Sequence, residues 1–138
     1  LNGFKAINDH YGHAAGDRVL ITTATRLKRI LRATDTVARI GGDEFVVILQ
    51  GLAPSLNLQD EARSVCQKIF IELSPPISIG NDQRHIGTIL GVAVFPDHAT
   101  AMDRLLHIAD LAMYEAKRSG NNQYRLGGGQ VLSRNRVE

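Results

Sequence analysis

Apolar residues recur at helical spacing in three stretches of the chain, which predicts three helices. In the first stretch, Leu20, Ala24, Leu27 and Leu31 fall three or four positions apart and would face a core. The predicted helices cover residues 15–33, 57–73 and 102–118. Pro75 and Pro76 follow the second helix, and Gly120 follows the third, as expected where a helix ends.

Runs rich in β-branched residues lie between these helices and predict strands. The predicted strands cover residues 35–40, 44–50, 77–79, 85–95 and 123–126. Gly41 and Gly42 join the first two strands, and residues 80–82 form the turn of a second hairpin. Because most of these strands would pair with a sequence neighbour, the pattern predicts an α+β fold with a central, mostly antiparallel sheet flanked by helices.

Composition indicates an ordinary globular domain. The chain has 138 residues, which suits one domain, expected over residues 1–126, and its tail at 127–138 is expected to be a loose linker. A net charge of only +2 is too small to indicate nucleic acid or a membrane surface as partner, and neither is expected; no apolar run is long enough to span a bilayer. The single cysteine, Cys66, excludes an internal disulfide and is expected to be a small buried residue.

The predicted turn at Gly41 and Gly42 is followed directly by two acids, Asp43 and Glu44. Paired glycines let the backbone turn and let a ligand approach closely. Adjacent carboxylates are costly unless they are solvated or paired with cations, and oxygen ligands of this kind suit Mg²⁺ together with waters and substrate phosphates. The alternative is a plain hairpin turn with exposed acids.

A second segment, FKAINDHYGHAAGD at residues 4–17, also carries candidate chemistry. The carboxylate of Asp17 and the amide of Asn8 have the donors and acceptors needed to bind a purine edge. Lys5 supplies a positive charge that suits a phosphate. The alternative is that Asn8 belongs to a turn and Asp17 caps a helix.

Taken together, FKAIND, YGH, AGD and GGDEF, in this order and spacing, resemble the GGDEF family of diguanylate cyclases, and AMYEAKRSGNN downstream strengthens the match. The resemblance covers residues 1–126 and lacks the N-terminal start of the family domain. It implies the palm-like fold of polymerases and class III nucleotide cyclases. It also implies a homodimer in which each domain binds one GTP and each 3′-hydroxyl attacks the α-phosphate of the partner's GTP, giving cyclic di-GMP.

The resemblance further implies a site that uses Mg²⁺ or Mn²⁺. Asp43 would bind the metal through its side chain and Leu1 through its main-chain carbonyl. Glu44 would bind a second metal or assist deprotonation of the 3′-hydroxyl. The residues implied in substrate binding are Asn8 and Asp17 at guanine, Lys5 and Lys117 at the triphosphate, and the backbone near Gly3, Phe4, Gly41 and Gly42.

The segment Arg32-Ala33-Thr34-Asp35 matches the RxxD inhibitory site of the family, with five residues between it and Gly41. The resemblance implies that the product cyclic di-GMP binds here and restrains the enzyme. An arginine fork suits a phosphate or a guanine edge. Arg63, on the next helix, is a candidate second contact. The alternative is an ordinary polar helix end.

Three departures from the family pattern point to an alternative function. The first metal-binding Asp of the family would directly precede Leu1, Asn2 replaces the next Asp, and Asn121 stands where the family often has a basic residue. The alternative is a catalytically impaired module that binds GTP or cyclic di-GMP. The ending YEAKRSGNNQY also resembles domains fused to an EAL phosphodiesterase. Intact Asp43 and Glu44 favour the enzyme, and the need for GTP predicts a cytoplasmic location.

Overall fold

The structure is a computed structural model and describes residues 1–51, 58–120 and 122–127. The helices of this part are α1 (Phe4–Tyr11), α2 (His13–Ile30), α3 (Leu58–Leu73) and α4 (Met102–Lys117). Its strands are β1 (Thr36–Gly41), β2 (Glu44–Ile48), β3 (Ile77–Ile79), β4 (Asp82–Arg84), β5 (Ile89–Val92) and β6 (Gln123–Leu126). The predicted tail, apart from residue 127, lies outside the described residues, as does Asn121.

The three predicted helices are confirmed, with one change of length and one addition. α2 ends at Ile30 rather than at residue 33, because Leu31 takes an extended backbone with φ −94° and ψ 149°. The sequence pattern did not predict α1, which buries only Ile7. So short a helix depends on packing rather than on its own propensity. Helical spacing could nevertheless have indicated α1, because its apolar residues Phe4, Ile7 and Tyr11 recur three or four positions apart.

The second predicted hairpin is wrong in its second strand. β3 pairs with β4, so Asp82 belongs to a strand and not to the turn. The predicted long strand at residues 85–95 shortens to β5, Ile89–Val92. At Gly87 the chain instead exchanges two backbone hydrogen bonds with Asn2, of 2.8 and 3.1 Å. A β-branched composition indicates an extended chain but does not identify its pairing partner.

The α+β class is confirmed, and the strand pairs are mixed. β1 pairs with β2 and β3 with β4, both antiparallel. β5 and β6 are parallel, because α4 lies between them along the chain and supplies the crossover that a parallel pair requires.

The described part of the chain divides into two compact units, the first made of residues 1–51 and 67–87. Its core holds the buried side chains of Ile7, Val19, Ile77 and Ile79. The partly buried residues that pack against this core are Leu1, Phe4, Tyr11, Ala15 and Ile86. This packing holds α1, with its candidate residues, against α2 and the β3–β4 hairpin.

The second unit contains the described residues 58–66, 88–120 and 122–127. Here α4 packs on β5 and β6, and Ala112, Ala116, Tyr124 and Leu126 are buried. Gly91 allows the close approach, since a Cβ there would lie 1.9 Å from the carbonyl oxygen of Ala109. Among residues 1–51, 58–120 and 122–127, no helix combines the length and the apolar character that a membrane span requires.

Candidate functional site

The predicted hairpin between β1 and β2 is confirmed, but its turn lies at Gly42 and Asp43, one residue later than predicted, because Gly41 is the last residue of β1. The register shifts between Arg39 and Gly41, and Gly41 then pairs with Glu44. Gly42 has φ 47°, a left-handed conformation that favours glycine. The turn therefore presents Asp43 at its tip and Glu44 at the start of β2.

The beginning of the chain lies beside this turn. The Leu1 nitrogen donates to the main-chain oxygen of Asp43 at 2.8 Å, across 42 sequence positions. The Asp43 side chain is 38% exposed, and Glu44 is exposed. The structure thus brings together Leu1, Asp43 and Glu44, which are the residues predicted to hold a metal.

The donors at this turn suit a metal that arrives with its substrate. No group of three or more His, Cys, Asp or Glu side chains able to hold a metal occurs among the residues that the structure describes. Mg²⁺ is usually bound through one or two carboxylates, with waters and substrate phosphates completing its octahedron. Two adjacent acids at an accessible turn fit that mode, whereas they would not form an all-protein metal cage.

Arg39 is a residue of this turn that the sequence analysis did not identify. Its Nε donates to the main-chain oxygen of Gly42 at 2.8 Å, so an arginine of β1 closes the turn across three positions. The sequence feature that could have indicated this residue is a positive charge two positions before the paired glycines. The bond constrains the peptide that leads directly into Asp43.

Asn8 and Asp17 lie on two helices that meet at Gly12. Asn8 is inside α1, so the alternative that it belongs to a turn is wrong. Gly12 is the residue that precedes α2, and no side chain in the described part of the chain caps that helix. Asp17 lies more than one turn inside α2 and is exposed, so the alternative that it caps the helix is also wrong.

Asn8 packs directly on the residue before Asp17. A Cβ built on Gly16 would lie 1.8 Å from Asn8 Oδ1, which shows how closely the amide approaches α2. Asn8 Oδ1 is buried without a hydrogen-bond partner in the described part of the chain. Since buried polar atoms are nearly always paired, this oxygen marks the corner between α1 and α2 as a candidate binding site.

The N-terminus of α1 carries the candidate phosphate contacts. Gly3, with φ 91° and ψ 0°, precedes the helix without a side-chain cap. Lys5 is exposed, and Phe4 packs against the core of the first unit. The first N–H groups of a helix lack intrahelical partners and favour anions, so this end of α1 suits a phosphate.

Two further candidates lie in the second unit. Lys117 is the last residue of α4 and is exposed. Arg63 lies on α3, and its Nε donates to the Tyr124 hydroxyl at 3.1 Å. Their roles at a triphosphate and at an inhibitory site stay predictions.

Arg32 and Asp35 form a close ion pair just beyond α2. Arg32 Nη2 lies 3.0 Å from Asp35 Oδ1, and Arg32 Nε donates to Oδ2 at 3.2 Å. The Asp35 side chain is only 3% exposed and also accepts from the backbone N–H groups of Arg32, at 2.8 Å, and Gln50, at 3.4 Å. The side-chain hydrogen bond from Arg32 is the main reason that the pKa of Asp35 is lowered.

A cleft of about 430 Å³ opens at this ion pair. Lys28, Arg32 and Asp35 supply its charged groups, and Leu31 and Val37 supply apolar walls. The cleft is shallow and open to solvent, and its two cations suit an anionic ligand. A ligand that uses the Arg32 guanidinium would have to compete with Asp35.

Comparison with known proteins identifies relatives along most of the chain. A family model described as "Diguanylate cyclase, GGDEF domain" matches residues 1–123. The bifunctional diguanylate cyclase/cyclic di-GMP phosphodiesterase MucR of Pseudomonas aeruginosa is 40% identical over 124 residues, which are 90% of this chain and 17% of MucR. The diguanylate cyclase TpbB of Pseudomonas aeruginosa is 44% identical over 125 residues, 89% of this chain and 28% of TpbB. The chain therefore spans less than a third of either relative.

Solved structures show the same fold. The GGDEF domain of TpbB superposes with a TM-score of 0.82 at 42% identity, covering 90% of this chain and 75% of that domain. The GGDEF domain of DgcB from Caulobacter crescentus, solved in complex with c-di-GMP, gives a TM-score of 0.71 at 27% identity. That match covers 90% of this chain and 71% of the DgcB domain.

Proposed function

The chain belongs to the GGDEF family of diguanylate cyclases and has its palm-like α+β fold, and we propose that it condenses two GTP molecules into cyclic di-GMP and two pyrophosphates. The observation that carries the proposal is the β1–β2 turn, where Asp43 and Glu44 follow left-handed Gly42 and Leu1 contacts Asp43. Such a turn offers oxygen ligands and little steric bulk to an incoming triphosphate.

Asp43, through its carboxylate, and Leu1, through its main-chain carbonyl, would hold Mg²⁺ or Mn²⁺. The ion neutralises charge on the phosphates and orients them. Glu44 is the second acid and either binds a second ion or accepts the proton of the 3′-hydroxyl. Gly41 and Gly42 leave room for the phosphates because they carry no side chains.

The α1–α2 corner would select guanine. The Asp17 carboxylate accepts hydrogen bonds from the N1–H and the exocyclic amine of the base, and the Asn8 amide adds a further hydrogen bond. Lys5, the backbone at Gly3 and Phe4, and Lys117 would bind the triphosphate. Asn8 Oδ1 supports this assignment, because it is a buried polar atom at the proposed base site that has no hydrogen-bond partner among the described residues.

The reaction requires a homodimer, since each domain supplies one GTP. Each 3′-oxygen forms a bond to the α-phosphorus of the partner's GTP, pyrophosphate leaves, and the hydroxyl proton passes to a base. The need for GTP assigns the domain to the cytoplasm.

Product inhibition is the regulatory part of the proposal. Cyclic di-GMP would bind at Arg32 and Asp35, with Arg63 as a second contact. The cationic cleft at Arg32 supports this assignment, and the c-di-GMP complex of DgcB shows that a related domain binds this ligand.

A regulatory module that binds GTP or cyclic di-GMP without turnover is the second candidate. Asn2 and Asn121, which differ from the family pattern, favour it. A region similar to this chain also occurs in MucR, which is named a diguanylate cyclase and a cyclic di-GMP phosphodiesterase, so a fusion of this domain to a phosphodiesterase is compatible with its relatives.

The deciding experiment follows conversion of GTP to cyclic di-GMP by chromatography, with Mg²⁺, in the longest natural form of the protein. Asp43→Ala is measured alongside. Product from the natural protein and none from Asp43→Ala is the expected result. If neither protein forms product but both bind GTP or cyclic di-GMP, the domain is a regulatory module and not a cyclase.

A further inference from the structure

Gly16 lies inside α2 and is buried, in a place where alanine would normally stabilise the helix better. Its backbone is helical, so no left-handed conformation accounts for a glycine. The three atoms nearest to a Cβ at this position all belong to the Asn8 amide: Oδ1 at 1.8 Å, Cγ at 2.8 Å and Nδ2 at 3.3 Å. Gly16 is therefore explained by the space that Asn8 occupies.

Packing against α2, more than hydrogen bonding through Oδ1, sets the position of the Asn8 amide. Asn8 Oδ1 has no hydrogen-bond partner among the described residues, although it is buried. Because no described residue holds the Asn8 amide through this oxygen, the position of the amide depends on the shape of the surface against which it packs. That surface is the bare backbone at Gly16.

We propose that Gly16 is a specificity-determining residue, because its missing side chain sets where the Asn8 amide meets the nucleobase. The inference rests on the proposed role of Asn8 in binding guanine. Ordinary van der Waals contact begins at 3.4 Å and Asn8 Oδ1 would lie at 1.8 Å, so a methyl group at residue 16 would displace this oxygen by about 1.6 Å. Hydrogen-bond distances vary over only about 0.5 Å, and such a shift would break a bond from the amide to the base.

The test is a double-mutant cycle of Gly16→Ala and Asn8→Ala in the whole chain. Binding is measured by calorimetry with α,β-methylene GTP and α,β-methylene ATP, which lack the oxygen at the bond that the cyclase breaks. We expect Gly16→Ala to weaken binding of the guanine nucleotide roughly tenfold and to leave the adenine nucleotide unchanged. In the Asn8→Ala background the same methyl group is expected to change neither affinity, since the clashing amide is gone.

A purely structural role gives a different result. It would lower both affinities together, or lower them equally in the Asn8→Ala background, and either result overturns the proposal. Thermal unfolding provides an independent measurement without nucleotide. We expect Gly16→Ala to lower the melting temperature by several degrees in the natural chain but not in the Asn8→Ala background. Equal shifts in both backgrounds would also overturn the proposal.

This second measurement separates two kinds of failure. Suppose that Gly16→Ala lowers the melting temperature only when Asn8 is present, but the natural chain does not prefer the guanine nucleotide. The contact between Gly16 and Asn8 is then supported, and the proposed function is wrong. If Gly16→Ala unfolds in the natural chain, Asn8→Ser and Asn8→Ser/Gly16→Ala replace the pair. Serine is shorter and leaves room for the methyl group, so any effect of that methyl group on base preference would count against the inference.

Discussion

Arg39 Nε donates to the main-chain oxygen of Gly42 at 2.8 Å, so a side chain of β1 holds the peptide that precedes Asp43. Gly42 is left-handed and the β1–β2 register shifts beside it, so the backbone ladder alone constrains this turn weakly. The Arg39 bond adds a restraint on the Gly42 peptide, beside the bond from the Leu1 nitrogen to the Asp43 main-chain oxygen. In the proposed enzyme, it fixes the direction in which Asp43 leaves the turn.

Replacing Arg39 should therefore lower turnover more than it lowers substrate affinity. We expect Arg39→Ala to reduce kcat for cyclic di-GMP formation roughly tenfold, with a smaller change in KM for GTP, because a misplaced Asp43 affects the reacting phosphate most. Arg39→Lys retains a donor and should recover part of the rate. Steady-state kinetics of the three proteins decides, and an Arg39→Ala protein with natural kcat would exclude the positioning role.

The hairpin and its two acids could be predicted from sequence, whereas the hydrogen bond from Arg39 that restrains the turn could not. Gly41, Gly42 and the two acids have a local signature, since paired glycines at a hairpin restrict the backbone in a known way. The bond from Arg39 is a side-chain contact to a carbonyl, and no periodicity encodes it. The same holds for Gly16, whose meaning appears only when α1 packs across α2.

The remaining differences arise where tertiary contacts override local pattern. α1 has eight residues and one buried side chain, so its helical state depends on the core around Ile7. The predicted strand at residues 85–95 contains Gly87, which pairs with Asn2 through an isolated bridge. Long amphipathic stretches such as α3 and α4 matched the prediction closely, because their periodicity repeats over several turns.

Burial of Cys66 predicts a thiol that is inert in the folded protein. Its side chain is 3% exposed, and burial raises the pKa of the thiol to about 12. The reactive thiolate is therefore scarce at pH 8. We expect very slow modification by a disulfide reagent in buffer and complete, rapid modification in urea. Equal rates in the two conditions would contradict the buried position of Cys66 on α3.

The ion pair of Arg32 and Asp35 should make stability depend on pH. The pKa of Asp35 is lowered in the folded state, chiefly by its hydrogen bond from Arg32, so folding favours the carboxylate. Its contribution is complete above the ordinary aspartate pKa of about 4 and is lost as the pH falls through the lower folded value. We expect Asp35→Asn to reduce the free energy of unfolding by about 1 kcal/mol at pH 7, since Arg32 is half exposed.

Urea unfolding from pH 7 to pH 3 measures this contribution. The difference between the natural chain and Asp35→Asn should shrink toward the acidic end, because protonation removes the same charge as the substitution. A difference that stays constant over that range would show that the Asp35 charge contributes nothing to folding.

Replacement of Arg32 separates binding at the cleft from binding at the turn. Arg32 Nη2 also donates to the main-chain oxygen of Gln50 at 2.5 Å, so cyclic di-GMP must draw this guanidinium away from Gln50 and Asp35. Arg32→Ala removes the cation that would bind the ligand, and we expect at least a roughly tenfold loss of cyclic di-GMP affinity with GTP binding unchanged. Arg29→Ala is the matched control, since Arg29 in the last turn of α2 is also an exposed arginine but pairs with Glu72 at 3.1 Å. Calorimetry with each nucleotide distinguishes the outcomes: loss of cyclic di-GMP binding in both variants would indicate general electrostatic attraction, and retention in Arg32→Ala would exclude the cleft as the inhibitory site.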